Sequence, residues 1–235
     1  MTNKPYVLQT ITKYLDQQTS ERTARERIAE IDREFTEGFR FIAKYPKSVT
    51  FFGSSKSVEG DPYYEKAREL AGRLAKEAGY TIVSGGGPGI MEAADRGAYE
   101  VGGNSVGLTI KLPDGQPTNK YIKESIGFYY FFVRKVCLAF GAEVFIFFPG
   151  GYGTLDEFFE IITLIQTRKI SGTPIVCYGS EYWNKLRDLM KDGPLASHMI
   201  SEDDLKLIKI TDNLDEIVEI AKKAKMNIDV PFDPS

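Results

Sequence analysis

Residues 143–157 read Glu-Val-Phe-Ile-Phe-Phe-Pro-Gly-Gly-Tyr-Gly-Thr-Leu-Asp-Glu. The unbroken apolar run at 144–148 is typical of a strand that is buried on both faces of a parallel sheet. Three glycines and a threonine follow it and lead into a helical pattern, and the free amide groups at the start of such a helix bind anions. This stretch therefore predicts an α/β fold with a phosphate-binding loop formed by Gly150, Gly151, Gly153 and Thr154.

Short apolar runs and helical patterns alternate on both sides of this stretch, from Ser48 onward. The alternation predicts a Rossmann-like, doubly wound and mostly parallel sheet with helices on both faces. A helix is expected between the cap Asp61 and the closing Gly79, and two more are expected at residues 90–99 and 128–140. The expected strands cover residues 49–53, 80–83, 105–110, 143–148, 175–178 and 207–211.

The first 47 residues differ from the rest because they are mostly polar and charged, and we predict that they form an N-terminal helical extension. Residues 48–228 are the predicted Rossmann-like domain, and residues 229–235 are a predicted loose tail. In the extension, apolar residues recur three or four positions apart and predict one apolar face on a helix of about residues 20–44. These residues are Ile28, Ile31, Phe35, Phe39 and Ile42.

The composition argues against several classes of function. The 235 residues carry a net charge of -3 and no stripe of Lys and Arg, so no nucleic-acid partner is expected. No run approaches the ~20 apolar residues that cross a bilayer and no secretory signal is visible, so we expect a cytoplasmic protein without a membrane partner. Cys137 and Cys177 lie in apolar runs, and His198 is the single histidine, so we expect neither a metal nor a cofactor. Carboxylates, arginine and backbone amides are left to carry the chemistry.

Two further predicted strand ends carry small or hydroxyl side chains. Ser54 follows the first strand, and residues 84–92 read Ser-Gly-Gly-Gly-Pro-Gly-Ile-Met-Glu, a glycine density that favours contact with a ligand. No Lys-Ser/Thr pair follows the glycines as in a P-loop, and no GxGxxG follows the first strand with an acidic residue about 20 positions later. The pattern therefore favours a monophosphate over a triphosphate or a dinucleotide.

Glu157 has two interpretations. Thr154-x-x-Glu157 matches a capping box, in which both side chains only satisfy amide groups at the helix start. Alternatively, its carboxylate acts on a ligand. Arg134 and Lys135 interrupt the apolar run at 128–140, and charges there are costly unless they meet an anion or extend to solvent. Taken alone, the residues leave both interpretations of Glu157 open.

Three segments together resemble the LONELY GUY family, the cytokinin riboside 5'-monophosphate phosphoribohydrolases. They are residues 85–91, the pair Arg134-Lys135 and residues 149–157, and the similarity covers about residues 48–226. The N-terminal helix and the insert around residues 112–116 resemble the longer bacterial members. Members of this family are often labelled "possible lysine decarboxylase", but a pyridoxal-phosphate decarboxylase needs a Schiff-base lysine and a partner for the pyridine nitrogen, and no motif here marks them.

The resemblance implies a nucleotide cleft in which Arg134 and Glu157 are the catalytic pair. It implies hydrolysis of the N-glycosidic bond of a purine riboside 5'-monophosphate, either AMP or a cytokinin type, giving the free base and ribose 5-phosphate. Because the family includes dimers and larger oligomers, a homo-oligomer is expected. The implied substrate and phosphate contacts are Gly150, Gly151, Gly153, Thr154, Gly86, Gly87, Ser54, Met91, Glu92 and Lys135.

Two other functions compete with hydrolysis. The first is a non-enzymatic nucleotide-binding or cofactor-carrier protein, similar in fold to the molybdenum-cofactor carriers, which needs the glycine loops but not a carboxylate at the sugar. The second is a Rossmann-like protein that grips single-stranded DNA. Such a protein needs a basic groove with stacking aromatic residues, whereas the aromatic residues here lie mostly in runs typical of a core.

Overall fold

The computed structural model describes residues 17–112, 115, 117–170 and 172–224. Within these residues seven strands occur: β1 (Ser48–Phe52), β2 (Thr81–Ser84), β3 (Ser105–Ile110), β4 (Glu124–Phe128), β5 (Ala142–Phe147), β6 (Ile175–Cys177) and β7 (Ile208–Ile210). They form one sheet in the order β4-β3-β2-β1-β5-β6-β7, and every neighbouring pair is parallel. The predicted doubly wound parallel sheet is confirmed.

Helices cover both faces of the sheet. Those in the described part of the chain are α1 (Gln17–Ile42), α2 (Pro62–Ala78), α3 (Ile90–Glu100), α4 (Phe131–Phe140), α5 (Tyr152–Gln166), α6 (Ser180–Met190) and α7 (Leu214–Lys223). A π-helical turn at Lys191–Leu195 follows α6, and a 3-10 turn at Asp204–Leu207 precedes β7.

The ends of α2 show how the sequence sets these elements. The carboxylate of Asp61 accepts a hydrogen bond from the Tyr63 amide at 3.1 Å, and proline occupies the first helical position. Gly79 ends the helix in the left-handed conformation, at φ 70°, and its amide donates to the carbonyl of Leu74. Both predicted ends of this helix are confirmed.

Two hydrophobic cores lie on opposite faces of the sheet. The first packs α2, α3 and α7 against one face, and the second packs α1, α4, α5 and α6 against the other. Strand β5 contributes to both, because Val144 and Ile146 lie in the first core and Phe145 and Phe147 in the second. All six residues of β5 are buried, as its unbroken apolar run predicts.

The sheet has its topological switch point between β1 and β5. The chain continues from β1 to β2 on one side, whereas β5 lies on the other side and pairs with β1 from Ser48 to Phe52. Ligands of open α/β sheets bind in the crevice outside the carboxyl ends of the strands at such a point. Here the crevice lies between the loops that follow Phe52 and Phe147.

Most predicted boundaries shift by one or two residues, and the predicted helix at 128–140 shifts further. The helix expected at 128–140 begins at Phe131, and Phe128 instead ends β4, a strand that the sequence analysis missed. Strand β4 pairs with β3 at the edge of the sheet, where Glu124, Ser125 and Gly127 are exposed. An edge strand with polar residues lacks the continuous apolar run that marks a buried strand, so its pattern did not predict it.

Helix α1 confirms the predicted N-terminal helix and most of its apolar face, because Ile31 and Phe35 pack against the second core and the Phe39 ring meets Phe140. Ile28 is 65% exposed, whereas Glu34 and Gly38 are buried together with Phe41 and Ile42. The predicted tail at 229–235 and residues 113, 114 and 116 of the predicted insert lie outside the described residues. The division of the chain at residues 48 and 228 stays a prediction. Among the described helices, none has the length and apolar content required to cross a membrane.

Candidate active site

A cleft of about 510 Å³ opens at the switch point. Three loops and helix starts meet there: the loop after β1, the glycine-rich loop after β2, and the loop after β5 with the start of α5. Its lining residues are Phe51, Phe52, Gly53, Ser54, Ser55, Lys56, Gly85, Met91, Ile110, Leu112, Phe131, Arg134, Gly151, Tyr152, Gly153, Thr154, Asp156 and Glu157.

Backbone hydrogen bonds fix the loops against one another. The amide of Ser54 donates to the carbonyl of Pro149 at 3.0 Å, and the amide of Ile90 donates to the carbonyl of Ser54 at 2.9 Å. The Tyr182 hydroxyl donates to the carbonyl of Gly150 at 2.7 Å. All three loops are therefore held in place before any ligand binds, and such preorganisation lowers the cost of binding.

The glycines of the loop after β5 have two different roles. A Cβ atom at Gly150 would collide with the Thr154 hydroxyl and lie 3.0 Å from the Ser54 amide, so Gly150 is required by close packing beneath the loop. A Cβ atom at Gly151 or Gly153 would meet open space, because both residues border the cleft. Side chains are absent where the backbone faces the cleft, which leaves room for an anion close to the amides.

Helix α5 begins at Tyr152 and not at Thr154. Gly151 is its N-cap residue and has no side chain that could cap the helix. Thr154 is buried and already lies inside the first turn. Thr154 and Glu157 therefore do not form the capping box that the sequence allows, because that motif needs the threonine at the N-cap position. The amides of the first turn have no partner within the helix, and Tyr152 and Gly153 both line the cleft.

Arg134 is anchored at the opposite wall. Its Nε atom donates to the carbonyl of Leu108 at 2.7 Å, and its guanidinium lies so close to Gly85 that a Cβ atom there would collide with it. Burial lowers the pKa of Arg134 from its usual value, and the Glu157 carboxylate offsets part of this shift. The guanidinium remains charged at neutral pH, because arginine side chains do not lose their proton in proteins.

Glu157 lies in the same cleft as Arg134. Burial raises the pKa of Glu157 to about 7, although the positive charges of Arg134 and Lys135 act in the opposite direction. A carboxyl group with this pKa exchanges its proton near neutral pH, which suits a general acid or base. The arrangement thus combines an acid–base group, a fixed cation and a row of helix-start amides.

The raised pKa of Glu157 predicts a stability effect. The carboxyl of the folded protein holds a proton up to about pH 7, whereas the unfolded chain releases it near 4.5, so stability is lost as the pH rises through this interval. Glu157→Gln should therefore raise the free energy of unfolding at pH 8 by on the order of 1 to 3 kcal/mol, and much less at pH 4. Urea denaturation at both pH values measures this. Equal stabilities at pH 8 would contradict it, and Glu181→Gln on the exposed side of α6 is the control.

The structure brings seven predicted residues together in the cleft and leaves five outside its lining. Those in the cleft are Arg134, Glu157, Gly151, Gly153, Thr154, Ser54 and Met91. Those that do not line it are Gly150, Gly86, Gly87, Glu92 and Lys135. The positions outside the lining have other contacts, and these explain why the motif contains them.

Lys135 and Glu92 engage protein groups instead of the cleft. The ammonium of Lys135 lies 2.9 Å from Asp156 and 2.6 Å from Glu160, so this lysine joins α4 to α5. The carboxylate of Glu92 accepts a hydrogen bond from the Tyr64 hydroxyl at 3.2 Å. Neither contact is visible from sequence, because each joins separate helices.

Gly86 and Gly87 support the glycine-rich loop from below. Gly86 has φ 73°, and a Cβ atom there would lie 2.7 Å from a methyl group of Thr109, so its role is conformation and packing. The carbonyl of Gly87 accepts a hydrogen bond from the side chain of Asn119 at 3.1 Å. Of the three glycines, Gly85 is the one that lines the cleft, beside Arg134.

A buried carboxyl group beneath this loop was missed by the sequence analysis. Asp95 on α3 is fully buried and accepts hydrogen bonds from Ser84 at 2.7 Å and Asn119 at 2.8 Å, while its Oδ1 atom has no partner. Burial raises its pKa to about 7, although both hydrogen bonds lower it. Ser84 in turn accepts from the Gly86 amide at 2.9 Å, so the network holds the loop. The signal in the sequence was an acidic residue on the apolar side of α3.

No group of three or more His, Cys, Asp or Glu side chains with the arrangement of a metal site occurs among the described residues. The cleft instead offers Arg134, the amides at the start of α5, and the carboxyl groups of Glu157 and Asp156.

Fold and cleft together define the class: a Rossmann-like α/β protein with a glycine-rich cleft at the switch point of its sheet. Residues 91–221 match the family described as "possible lysine decarboxylase", and the chain belongs to this family. Together with the names of the curated relatives, this match confirms the resemblance to the LONELY GUY proteins.

Curated relatives of this chain are named as phosphoribohydrolases. The cytokinin riboside 5'-monophosphate phosphoribohydrolase LOG5 of Arabidopsis thaliana is 32% identical over 121 residues, which are 51% of this chain and 53% of that protein. The probable enzyme of the same name, LOGL5 of Oryza sativa subsp. japonica, is 33% identical over 131 residues, 54% of this chain and 51% of that protein. The chain spans about half the length of these relatives.

Solved structures share the fold. An X-ray structure of a Northeast Structural Genomics Consortium target is 24% identical, with a TM-score of 0.58 over 75% of this chain and 99% of that one. The molybdenum cofactor carrier protein of Chlamydomonas reinhardtii is 20% identical, with a TM-score of 0.55 over 76% of this chain and 98% of that one. At these identities the likeness concerns the fold alone.

Proposed function

We propose that this protein hydrolyses the N-glycosidic bond of a purine riboside 5'-monophosphate and releases the free base and ribose 5-phosphate. The observation that carries the proposal is the pairing, in one cleft, of the half-buried carboxyl Glu157 and the fixed cation Arg134 with the start of α5. The names of the curated relatives support the same reaction.

The phosphate is assigned to the loop after β5. Gly151 and Gly153 line the cleft and carry no side chain that would keep a ligand from the backbone. Tyr152, Gly153 and Thr154 form the first turn of α5, whose amides have no partner within the helix. The positive end of the α5 dipole favours a dianion at this position. The single short loop matches one phosphate group.

The base is assigned to the apolar walls of the cleft. Phe131 and Leu112 line it with accessible apolar side chains, and the mostly buried Phe52 and Ile110 border it. Such a surface accepts a planar purine, and it also accepts the apolar substituent of a prenylated base. We therefore propose both AMP and isopentenyladenosine monophosphate as substrates, with the apolar wall favouring the second.

The chemistry passes through a sugar with oxocarbenium character, as in glycoside hydrolysis. The C1'–N9 bond breaks, the base leaves with the electron pair and takes up a proton from solvent, and the oxygen of a water molecule bonds to C1'. The proton that this water loses passes through Glu157 back to solvent, which closes the balance. The ionised Glu157 stabilises the positive charge and accepts a proton from this water. Arg134 orients the ribose phosphate, and such positioning supplies a large part of the rate in many enzymes.

Two other functions account for the cleft less well. A carrier protein with this fold needs the loops but has no use for a half-buried carboxyl group with a pKa of about 7. A lysine decarboxylase needs a lysine that forms a Schiff base, and the one lysine among the cleft-lining residues, Lys56, is exposed in the loop after β1. Neither function uses Arg134 and Glu157 together.

A substrate panel tests the assignment of the phosphate and the base. We expect release of free base from AMP and from isopentenyladenosine monophosphate, and at least about 100-fold lower kcat/KM for adenosine, because adenosine cannot use the charged contacts of the loop. The products are separated by liquid chromatography. Equal turnover of AMP and adenosine would contradict a phosphate site at the α5 start.

We also propose that the protein is a homo-oligomer. Phe131, Phe132, Val136 and Phe140 on α4 are each 38% to 53% exposed, and Phe159 on α5 is 38% exposed. An apolar patch of this kind is typical of a protein interface. A monomer mass by light scattering in dilute solution would contradict this part of the proposal.

A further inference from the structure

The N-terminal helix α1 lies before the segment that matches the family, residues 91–221, yet it packs directly against α4, the helix that carries Arg134. The approach is close, because a Cβ atom at Gly38 would lie 2.6 Å from the sulfur of Cys137 and 3.0 Å from the ring of Phe128. The rings of Phe39 and Phe140 also meet, with centroids 4.7 Å apart. Helix α1 therefore supports the catalytic helix along its length.

One carboxylate on α1 reaches the start of α4. Glu34 is 2% exposed, and its two oxygens accept hydrogen bonds from the amides of Tyr129 at 2.6 Å and Tyr130 at 3.1 Å. Tyr130 is the N-cap residue of α4, and no side chain of α4 itself caps that end. The N-terminus of α4 is thus capped by a residue almost 100 positions earlier in the chain, which also places a negative charge at the positive end of the helix dipole.

The capped residue, Tyr130, also contacts the backbone of Arg134. The amide of Tyr130 is held by Glu34, and the carbonyl of Tyr130 accepts the hydrogen bond from the Arg134 amide at 3.2 Å. From there the Arg134 side chain extends to the carbonyl of Leu108 and to Gly85 in the wall of the cleft. A shift in the first turn of α4 is therefore passed on to the guanidinium.

We propose that Glu34 is a positioning residue for the reaction and that it acts through the first turn of α4 to hold Arg134 in the cleft. This proposal rests on the proposed function for its kinetic readout. The other carboxylates of this part of α1 have a different environment, because Glu30 and Glu37 are exposed and paired with Arg33 at the surface. Glu37 therefore offers a matched control on the same helix.

The test compares Glu34→Gln with Glu37→Gln in the full chain, with AMP as the probe. A glutamine at position 34 keeps the size of the side chain but has one acceptor oxygen and turns an NH2 group toward the second amide. We expect kcat/KM to fall about 10- to 100-fold in Glu34→Gln, mostly in kcat, since small misplacements of a positioning group cost about this much. Glu37→Gln should stay within about twofold of the wild type, because exposed ion pairs contribute little.

A second set of variants tests whether Glu34 acts through Arg134 or only through the stability of the fold. In an Arg134→Lys protein, whose lysine cannot make the same contacts, adding Glu34→Gln should lower kcat/KM by less than about twofold, because residues that act through one group are not additive. All measurements are made well below the unfolding temperature of each variant. A Glu34→Gln protein with wild-type kcat/KM, or a full additional loss in the Arg134→Lys background, would overturn the proposal.

Failure of the proposed function gives a different result. If the wild type binds AMP without releasing adenine, hydrolysis is wrong, and the dissociation constant for AMP then decides the role of Glu34. A rise of about tenfold in this constant for Glu34→Gln, absent from Glu37→Gln, supports positioning of Arg134. An unchanged constant contradicts it.

Discussion

Glu157→Gln is expected to lower kcat for AMP about 10²- to 10⁴-fold while leaving AMP binding within a few fold, because general acid–base groups contribute about this much. Glutamine keeps the shape of the side chain and removes the charge that stabilises the sugar and accepts the proton of water. Initial rates of adenine release and calorimetry with AMP measure the two quantities. Full activity in this variant would show that the carboxyl group is not catalytic.

The same residue predicts the pH dependence of the reaction. Burial raises the pKa of Glu157 to about 7, so kcat of the wild type should rise with pH through this value as the active carboxylate forms, and level off above it. The rising limb should be absent from the residual activity of Glu157→Gln. Glu181→Gln, an exposed change on α6, should keep the wild-type profile. If kcat of Glu157→Gln still rises with pH in this range, the rise is due to another ionisable group and the prediction is wrong.

Arg134→Ala is expected to have the second large effect, a loss of about 10²- to 10³-fold in kcat/KM for AMP. The change removes the fixed cation and leaves the carbonyl of Leu108 without its donor. Arg134→Lys should recover only a small part of the activity. A lysine cannot reproduce both the hydrogen bond from Nε to the carbonyl of Leu108 and the close approach of the guanidinium to Gly85. Steady-state kinetics of both variants measure the loss and the recovery.

Lys135→Gln tests which of two assignments of Lys135 is correct, the one implied by the sequence motif or the one seen in the structure. The motif places Lys135 beside Arg134 in the substrate site, whereas the structure pairs it with Asp156 and Glu160 between α4 and α5. Its effect on kcat/KM should therefore be at least about tenfold smaller than that of Arg134→Ala, as expected for a group outside the cleft. Equal losses of kcat/KM in the two variants would show that Lys135 contributes to the substrate site.

Much of the fold was predictable because its signals are local. The apolar run of β5, the cap Asp61 and the closing glycine Gly79 each act within a few residues. The glycine-rich loops predicted the position of the cleft for the same reason. Strand β4 was missed since its exposed, polar residues depend on pairing with β3, a tertiary contact.

The functional details could not be predicted from the sequence, because they depend on contacts between residues that are far apart in the chain. Whether Glu157 is a cap or a cleft residue depends on where α5 begins, and the capping box that the sequence allows would place the N-cap at Thr154, three residues after the observed Gly151. Glu34 and the amides of Tyr129 and Tyr130 are about 95 residues apart, so no local pattern joins them. The buried Asp95 is likewise recognisable only once Ser84 and Asn119 lie beside it.

The central claim is that the cleft breaks the N-glycosidic bond of a nucleoside monophosphate. The most direct measurement incubates the full chain with AMP and quantifies adenine and ribose 5-phosphate together, with Glu157→Gln as the parallel sample. We expect equal amounts of the two products from the wild type and at least about 100-fold less from the variant. AMP that is bound but recovered intact from the wild type would contradict the claim.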